Sequence, residues 1–266
     1  MKKITIGNEQ LSYIEHGQGD TIVLIHGFCG SVDYWEYILP LLSDKYHVIA
    51  VNLRGHGSST YSGAPFEIED LANDMNKLLK KLGIEQVYMF GHSLGGYVTL
   101  AFAELFGKSL KGFGLIHSTA YPDTDAGKEG RLNAIRKIQD LGIEEFVNGL
   151  IPNLFADESL ITLPNEVEKA KRIGYGTNGI AAMETQAAMR KRPDRNGVIE
   201  QANVPVLLVK GTKDKVVSLD RVASSSNQNV SEVRLDTGHM SMQEAPEELA
   251  KAIRSFIPLL DSKTLT

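Results

Sequence analysis

The chain has 266 residues, 28 basic and 33 acidic side chains, a net charge of −5 and 42% hydrophobic residues. That supports one sizeable core with an insertion, and the absence of a basic tract argues against nucleic acid as a partner. The single cysteine, Cys29, rules out an intrachain disulfide. No apolar run reaches membrane-spanning length, and none follows Met1-Lys2-Lys3-Ile4 as in a signal peptide, so a soluble, cytoplasmic protein with no membrane partner is expected.

Residues 3–7 and 10–16 read as two short strands joined by the hairpin signal Gly7-Asn8-Glu9. Residues 21–25 are apolar after Thr21, as a strand buried on both faces should be, and run into His26-Gly27-Phe28-Cys29-Gly30-Ser31. An amphipathic helix carrying the only tryptophan, Trp35, is expected over 34–42. A strand at 47–51 follows and ends in Asn52-Leu53-Arg54-Gly55-His56-Gly57-Ser58. The spacing of Ile68, Leu71, Met75, Leu78 and Leu79 predicts a helix over 66–82, stopped by Gly83. Next come a strand at 86–90, an apolar helix at 95–106 and a strand at 110–117. This alternation predicts a mainly parallel sheet covered on both sides.

The rhythm breaks after His117. From about 121 to 195 there is no strand signal. Helices are expected near 127–141, 143–154, 164–173 and 178–191, punctuated by Pro122, Pro152, Pro164 and Pro193. Residues 120–196 are therefore expected to form a helical cap inserted into a core made of 1–119 and 197–266. The core resumes with strands at 204–210 and 230–235 around a helix at 219–226. It closes with a helix over 245–260 that has Pro246 in its first turn. The expected fold is α/β, with a mostly parallel sheet of eight strands.

Gly91-His92-Ser93-Leu94-Gly95-Gly96 lies between a strand and a helix. A serine at the apex of so tight a turn is pushed toward positive φ, and side chains two residues either side would collide. Gly91 and Gly95 occupy those two places. The Leu94 N–H then sits at a helix N-terminus, suited to an oxyanion. A serine hydroxyl needs a base, and the base needs a third group to fix its tautomer. His239 follows the last expected strand and Asp214 the one before it, giving the order Ser…Asp…His. All three follow strand ends, which in an open α/β sheet line one crevice. Asp236 is the rival acid, but it ends the last strand three residues before the histidine, a poor position from which to orient it.

Together with His26-Gly27-Phe28, Leu53-Arg54-Gly55-His56-Gly57-Ser58, Gly211-x-x-Asp214 and Gly238-His239 followed by Glu244-x-Pro246, the chain resembles the α/β-hydrolase family over essentially its whole length. The resemblance implies that the Phe28 N–H is a second oxyanion donor beside Leu94. It also implies that the insertion is a lid shaping an acyl pocket. Two positions depart from the family pattern. Asn52 stands where many members have aspartate, at a structural position. Ser218 stands where many have proline, and it can instead cap the next helix.

The expected reaction is cleavage of a small or medium carboxylic ester through an acyl-enzyme, with no cofactor. Enol-lactonases, carbon–carbon bond hydrolases, cofactor-free perhydrolases and a menaquinone-pathway lyase share the scaffold and stay open. So does a slow hydrolase that acts as a ligand receptor. Haloalkane dehalogenase chemistry is disfavoured by a serine at 93. Pocket candidates are Cys29, His92, His117, Tyr121, Phe146, Leu150, Met183 and Met240. His92 also reads as a packed neighbour of the nucleophile, His26 as a shaper of the oxyanion loop and His56 as part of a structural turn. Metal ligation has no support from spacing. Arg131, Arg136, Arg172, Arg190, Arg192 and Arg195 would serve a substrate with several carboxylates if they faced the pocket. Monomer and homodimer both stay open.

Overall fold

The computed structural model describes residues 1–257. Its strands are β1 (Lys2–Ile6), β2 (Glu9–His16), β3 (Thr21–Ile25), β4 (His47–Val51), β5 (Val87–His92), β6 (Leu110–Ile116), β7 (Val206–Gly211) and β8 (Val230–Leu235). Helices α1 (Ile38–Leu42), α2 (Ile68–Leu82) and α3 (Leu94–Phe106) precede β6. Between β6 and β7 the described chain is helical: α4 (Asp125–Leu150), α5 (Asp157–Thr162), α6 (Pro164–Tyr175), α7 (Gly179–Lys191) and α8 (Asn196–Glu200). After β8 come α9 (Ser241–Glu244) and α10 (Pro246–Phe256).

The strands form one sheet in the order β1-β2-β4-β3-β5-β6-β7-β8. Only β2 runs antiparallel to its neighbours; every pair from β4 to β8 is parallel. Successive side chains of a strand face opposite ways. Val23, Ile25, Met89, Leu115 and Leu208 accordingly share one core with α2 and α3. Ile22, Leu24, Phe90, Leu207 and Val209 share the other with α1 and α10. Both faces are buried, which is why the central strands are apolar runs rather than alternating ones. From β3 the chain builds outward first through β4 and later through β5, so strand order reverses between β3 and β5. Loops leaving two such strands part from each other and open a crevice at their carboxyl ends.

Several elements differ from their sequence reading. The helix expected over 34–42 is two pieces, a 3₁₀ turn Val32–Trp35 and α1. Pro40 is the cause: it has no N–H to continue a helix from Tyr34, but it is tolerated in the first turn of one starting at Ile38. Residues 219–226 hold only a 3₁₀ turn, Leu219–Arg221, and the Ser218 side chain makes no capping bond to it. The serines there bond outward instead. The Ser224 N–H donates to Asn196 Oδ1 at 2.8 Å, and Ser225 and Ser226 donate to Glu200. Such local alternatives compete with helix formation. α4 breaks at Gly142 (φ 82°, ψ 170°), which separates the two expected helices on either side of it. Residues 258–260 of the expected last helix lie outside the described residues. Among the described residues no helix is long and apolar enough to cross a membrane.

Candidate active site

At the turn after β5, Ser93 has φ 51° and ψ −113°. Glycine is required on both sides by close approach. A Cβ on Gly91 would stand 2.0 Å from the Gly95 carbonyl oxygen, and one on Gly95 would stand 2.3 Å from that of Ile25. The turn is held by the Ser93 N–H donating to the Ile116 carbonyl (2.9 Å) and by the Ser118 hydroxyl donating to the Ser93 carbonyl (2.7 Å). Neighbouring strand β6 thus fixes the strained residue from both ends.

The loop after β3 lies against this turn: a Cβ on Gly27 would stand 3.2 Å from Ser93 Cβ. His26 shapes the loop. Its Nε2 accepts the Leu53 N–H (3.0 Å), so its Nδ1–H donates to the Gly27 carbonyl (2.7 Å). Burial and the neighbouring His56 push His26 down to about 3, and burial pushes His56 down to about 4, so both stay neutral. His56 Nδ1 bonds the Arg54 carbonyl at 2.9 Å, consistent with a turn residue. Among the described residues neither the Phe28 nor the Leu94 N–H donates to a protein acceptor, so both donors are free for a ligand. Asn52 receives the Val32 N–H and donates to Ser12, a structural role that does not need a charge.

After β7 and β8, His239 Nδ1 lies 2.8 Å from Asp214 Oδ2. The other carboxylate oxygen accepts the N–H groups of Val216 (2.8 Å) and Val217 (3.0 Å). Burial alone would raise this carboxyl, but His239 and His117 beside it hold it well below the usual carboxylate range. An ionised Asp214 can only accept, so Nδ1 of His239 carries the proton and Nε2 is left as a base. His92, directly before Ser93, is placed against the same group. Its Nε2 lies 2.9 Å from the His239 carbonyl, and the two rings are 4.9 Å apart. Burial, with His239 and His117 nearby, keeps His92 well below its ordinary value. The His239 segment is pinned by the His239 N–H donating to the Leu154 carbonyl (2.7 Å). Glu244 accepts from the Gly238 and Met240 N–H groups, both at 3.1 Å, and from the Ser159 hydroxyl of α5. Asp236 bonds Thr212 and Lys213 at the surface instead.

The remaining sequence candidates fall into two places. Cys29, Phe146 and Met240 belong to one buried cluster, with Leu150 and Met183 packed at its edge. Phe28 meets Phe146 edge-on at 6.0 Å. Burial pushes the Cys29 thiol up, which leaves it without thiolate character. Tyr121 sits apart, under the Arg221 guanidinium, with its carbonyl held by Arg192. Most of the expected arginines are occupied. Arg131 and Arg192 both pair with Asp123, Arg195 with Glu69 and Glu104, and Arg136 with Glu129. His117 is buried, and its Nδ1 lies 3.1 Å from Asp214 Oδ2. Sequence spacing gave no metal ligands, yet one atom each from His117, Asp214 and His239 lie within 4.8 Å of one another. Both Nδ1 atoms lie within hydrogen-bond reach of the same Asp214 oxygen, so an ionised Asp214 accepts from both rings.

The serine turn after β5 and the histidine–carboxylate pair after β7 and β8 all follow the carboxyl ends of strands in one mostly parallel sheet. The profile of the alpha/beta hydrolase fold family matches residues 20–246, and the chain belongs to that family. The chain is similar to 2-(acetamidomethylene)succinate hydrolase of Mesorhizobium japonicum, at 28% identity over 96% of this chain and 94% of that protein. Among solved structures it is similar to a thermophilic esterase from Thermogutta terrifontis (25% identity, TM-score 0.86, covering 96% of this chain and 97% of that one). It shares its fold with the enol-lactonase of Burkholderia xenovorans (21% identity, TM-score 0.89, covering 96% and 99%).

Proposed function

We propose that the chain is a serine hydrolase of small or medium carboxylic esters. Ser93 is the nucleophile, His239 the base, Asp214 the orienting acid, and the Phe28 and Leu94 amides the oxyanion donors. The observation that carries this reading is the 2.8 Å bond from His239 to Asp214, with the His239 carbonyl reached by His92, the residue directly before a serine at φ 51°. His239 Nε2 takes the Ser93 proton as Oγ attacks the ester carbonyl, and the two amides bind the oxygen that becomes negative. A donor of this kind is worth about 3–4 kcal/mol in comparable hydrolases. The imidazolium then protonates the leaving alcohol, and water, activated by the same histidine, cleaves the acyl-enzyme.

One feature of the surroundings supports an ester with an apolar part. Phe28, partly buried, offers apolar surface, with Phe146 packed edge-on against it. Arg131 and Arg192 both direct donors to Asp123, and the three side chains together keep one net positive charge. The helices between β6 and β7 act as the lid. The test is labelling with a fluorophosphonate, together with burst kinetics on p-nitrophenyl esters of graded chain length. Labelling at Ser93 and a burst with short or medium esters are expected. A Ser93→Ala protein that hydrolyses these esters at the wild-type rate would refute the proposal.

A further inference from the structure

Asp214 serves two imidazoles. Its Oδ2 lies 2.8 Å from His239 Nδ1 and 3.1 Å from His117 Nδ1, while Oδ1 is taken by two backbone amides. His117 comes from the turn after β6, 97 residues from Asp214 in the chain. We propose that His117 is a positioning residue that shares Asp214 Oδ2 with His239 and thereby sets how readily His239 takes a proton. This rests on the hydrolase reading above, because it assigns His239 as the base.

Several observations favour this role over space-filling. His117 is 1% exposed, and its Nε2 is buried without a partner, so the side chain leaves a polar atom unpaired in order to keep its other nitrogen on the carboxylate. Its backbone is at φ 48°, a region in which histidine is tolerated better than bulky apolar residues. Gly211 leaves room for the ring, since a Cβ there would stand 2.8 Å from His117 Cε1. The adjacent Ser118 donates to the Ser93 carbonyl at 2.7 Å, so residues 117 and 118 brace the acid and the nucleophile turn together.

The direction of the effect follows from the sharing. An N–H donated by His117 draws charge from the oxygen that stabilises the His239 imidazolium. Without it, the carboxylate bonds His239 more strongly and the imidazolium persists to higher pH. The titratable groups facing this pair come from four elements: His92 at the end of β5, His117 after β6, Asp214 after β7, and His239 and Glu244 after β8. His92 and His117 are both held below their ordinary value, chiefly by burial, and enter as neutral rings. Glu244 is bound by three backbone amides and the Ser159 hydroxyl, and these bonds are the same in every variant below.

The experiment measures the rate of fluorophosphonate labelling against pH for wild type, His117→Phe and His117→Asn. Losing one hydrogen bond to a charged group should move the acid limb of the Phe variant upward by about one pH unit. The Asn variant, whose amide nitrogen can sit where Nδ1 does, should return the midpoint to near the wild-type value. If the Phe ring is not accommodated at positive φ, His117→Gly removes the same donor. An unmoved midpoint in a folded Phe or Gly variant overturns the proposal. If wild type is not labelled at all, the hydrolase reading fails separately. NMR titration of the His239 ring protons in the same proteins then reads the His117 effect by itself.

Discussion

Ser93 is held at φ 51°, ψ −113°, where a Cβ is a liability. Such a conformation costs about 1–3 kcal/mol in a residue other than glycine. Ser93→Gly removes the strain but loosens the unfolded chain by up to about 1 kcal/mol. The net expectation is a gain of about 0.5–2 kcal/mol in stability, with esterase activity lost by about 10³-fold or more. Ser93→Ala loses activity equally but keeps the Cβ, so its stability should stay near wild type. The Gly–Ala difference isolates the strain from the loss of the hydroxyl. At this size about 1 kcal/mol is about 2 °C in Tm, within reach of calorimetry, and urea midpoints give the same quantity independently. A Gly variant no more stable than the Ala variant would show that the turn is relaxed and that the strain argument is wrong.

Asp214→Asn should cut ester hydrolysis by about 10⁴-fold by favouring the wrong tautomer of His239, whereas Asp236→Asn, at a surface pair with Thr212 and Lys213, should leave it within about twofold; steady-state kinetics on p-nitrophenyl acetate compare them. Gly95→Ala places a Cβ 2.3 Å from the Ile25 carbonyl oxygen, an atom that cannot give way, and should cost about 3 kcal/mol or more by urea titration. Acid should destabilise the fold from just below pH 6.5. Buried His26 and His56 stay neutral down to about 3 and about 4, whereas the unfolded chain takes up their protons near 6.5. Stability is then fully present above that value and falls by about 1.4 kcal/mol per pH unit for each histidine as pH drops through the window. Urea midpoints at pH 7.5 and 5.0 that agree within error would contradict this.

The nucleophile turn could be read in the sequence because its physics is local: Gly91, Ser93 and Gly95 lie within five residues and each answers a clash set by the others. The central strands could be read because burial on both faces leaves only apolar residues in them. The bond from His117 to Asp214 could not be read, since it joins turns 97 residues apart and depends on β6 and β7 being neighbours. From the sequence His117 reads only as a pocket candidate. Residues 219–226 failed for a different reason: their serines find partners on Asn196 and Glu200, from a helix too short to predict. The broken helix near Trp35 was legible in principle, because Pro40 stands inside it.

Three non-glycine residues have positive φ among the described residues: Cys29, Ser93 and His117. Each lies within a few residues of the carboxyl end of β3, β5 or β6, strands that stand side by side in the sheet. Strain of this kind survives only where the surroundings over-determine it, and here the parallel ladder does so. Ile25 is level with Gly91, and His92 with Ile116, so the three turns leave the sheet at one height. They then bond each other: the Ser93 N–H to Ile116, Ser118 to the Ser93 carbonyl, and Gly27 packed on Ser93. Relaxing one turn would cost the contacts of the next. The rigid sheet therefore serves the site by holding three disfavoured backbones in place at once. Substitutions in the β5–β6 ladder should consequently impair ester hydrolysis before they unfold the protein.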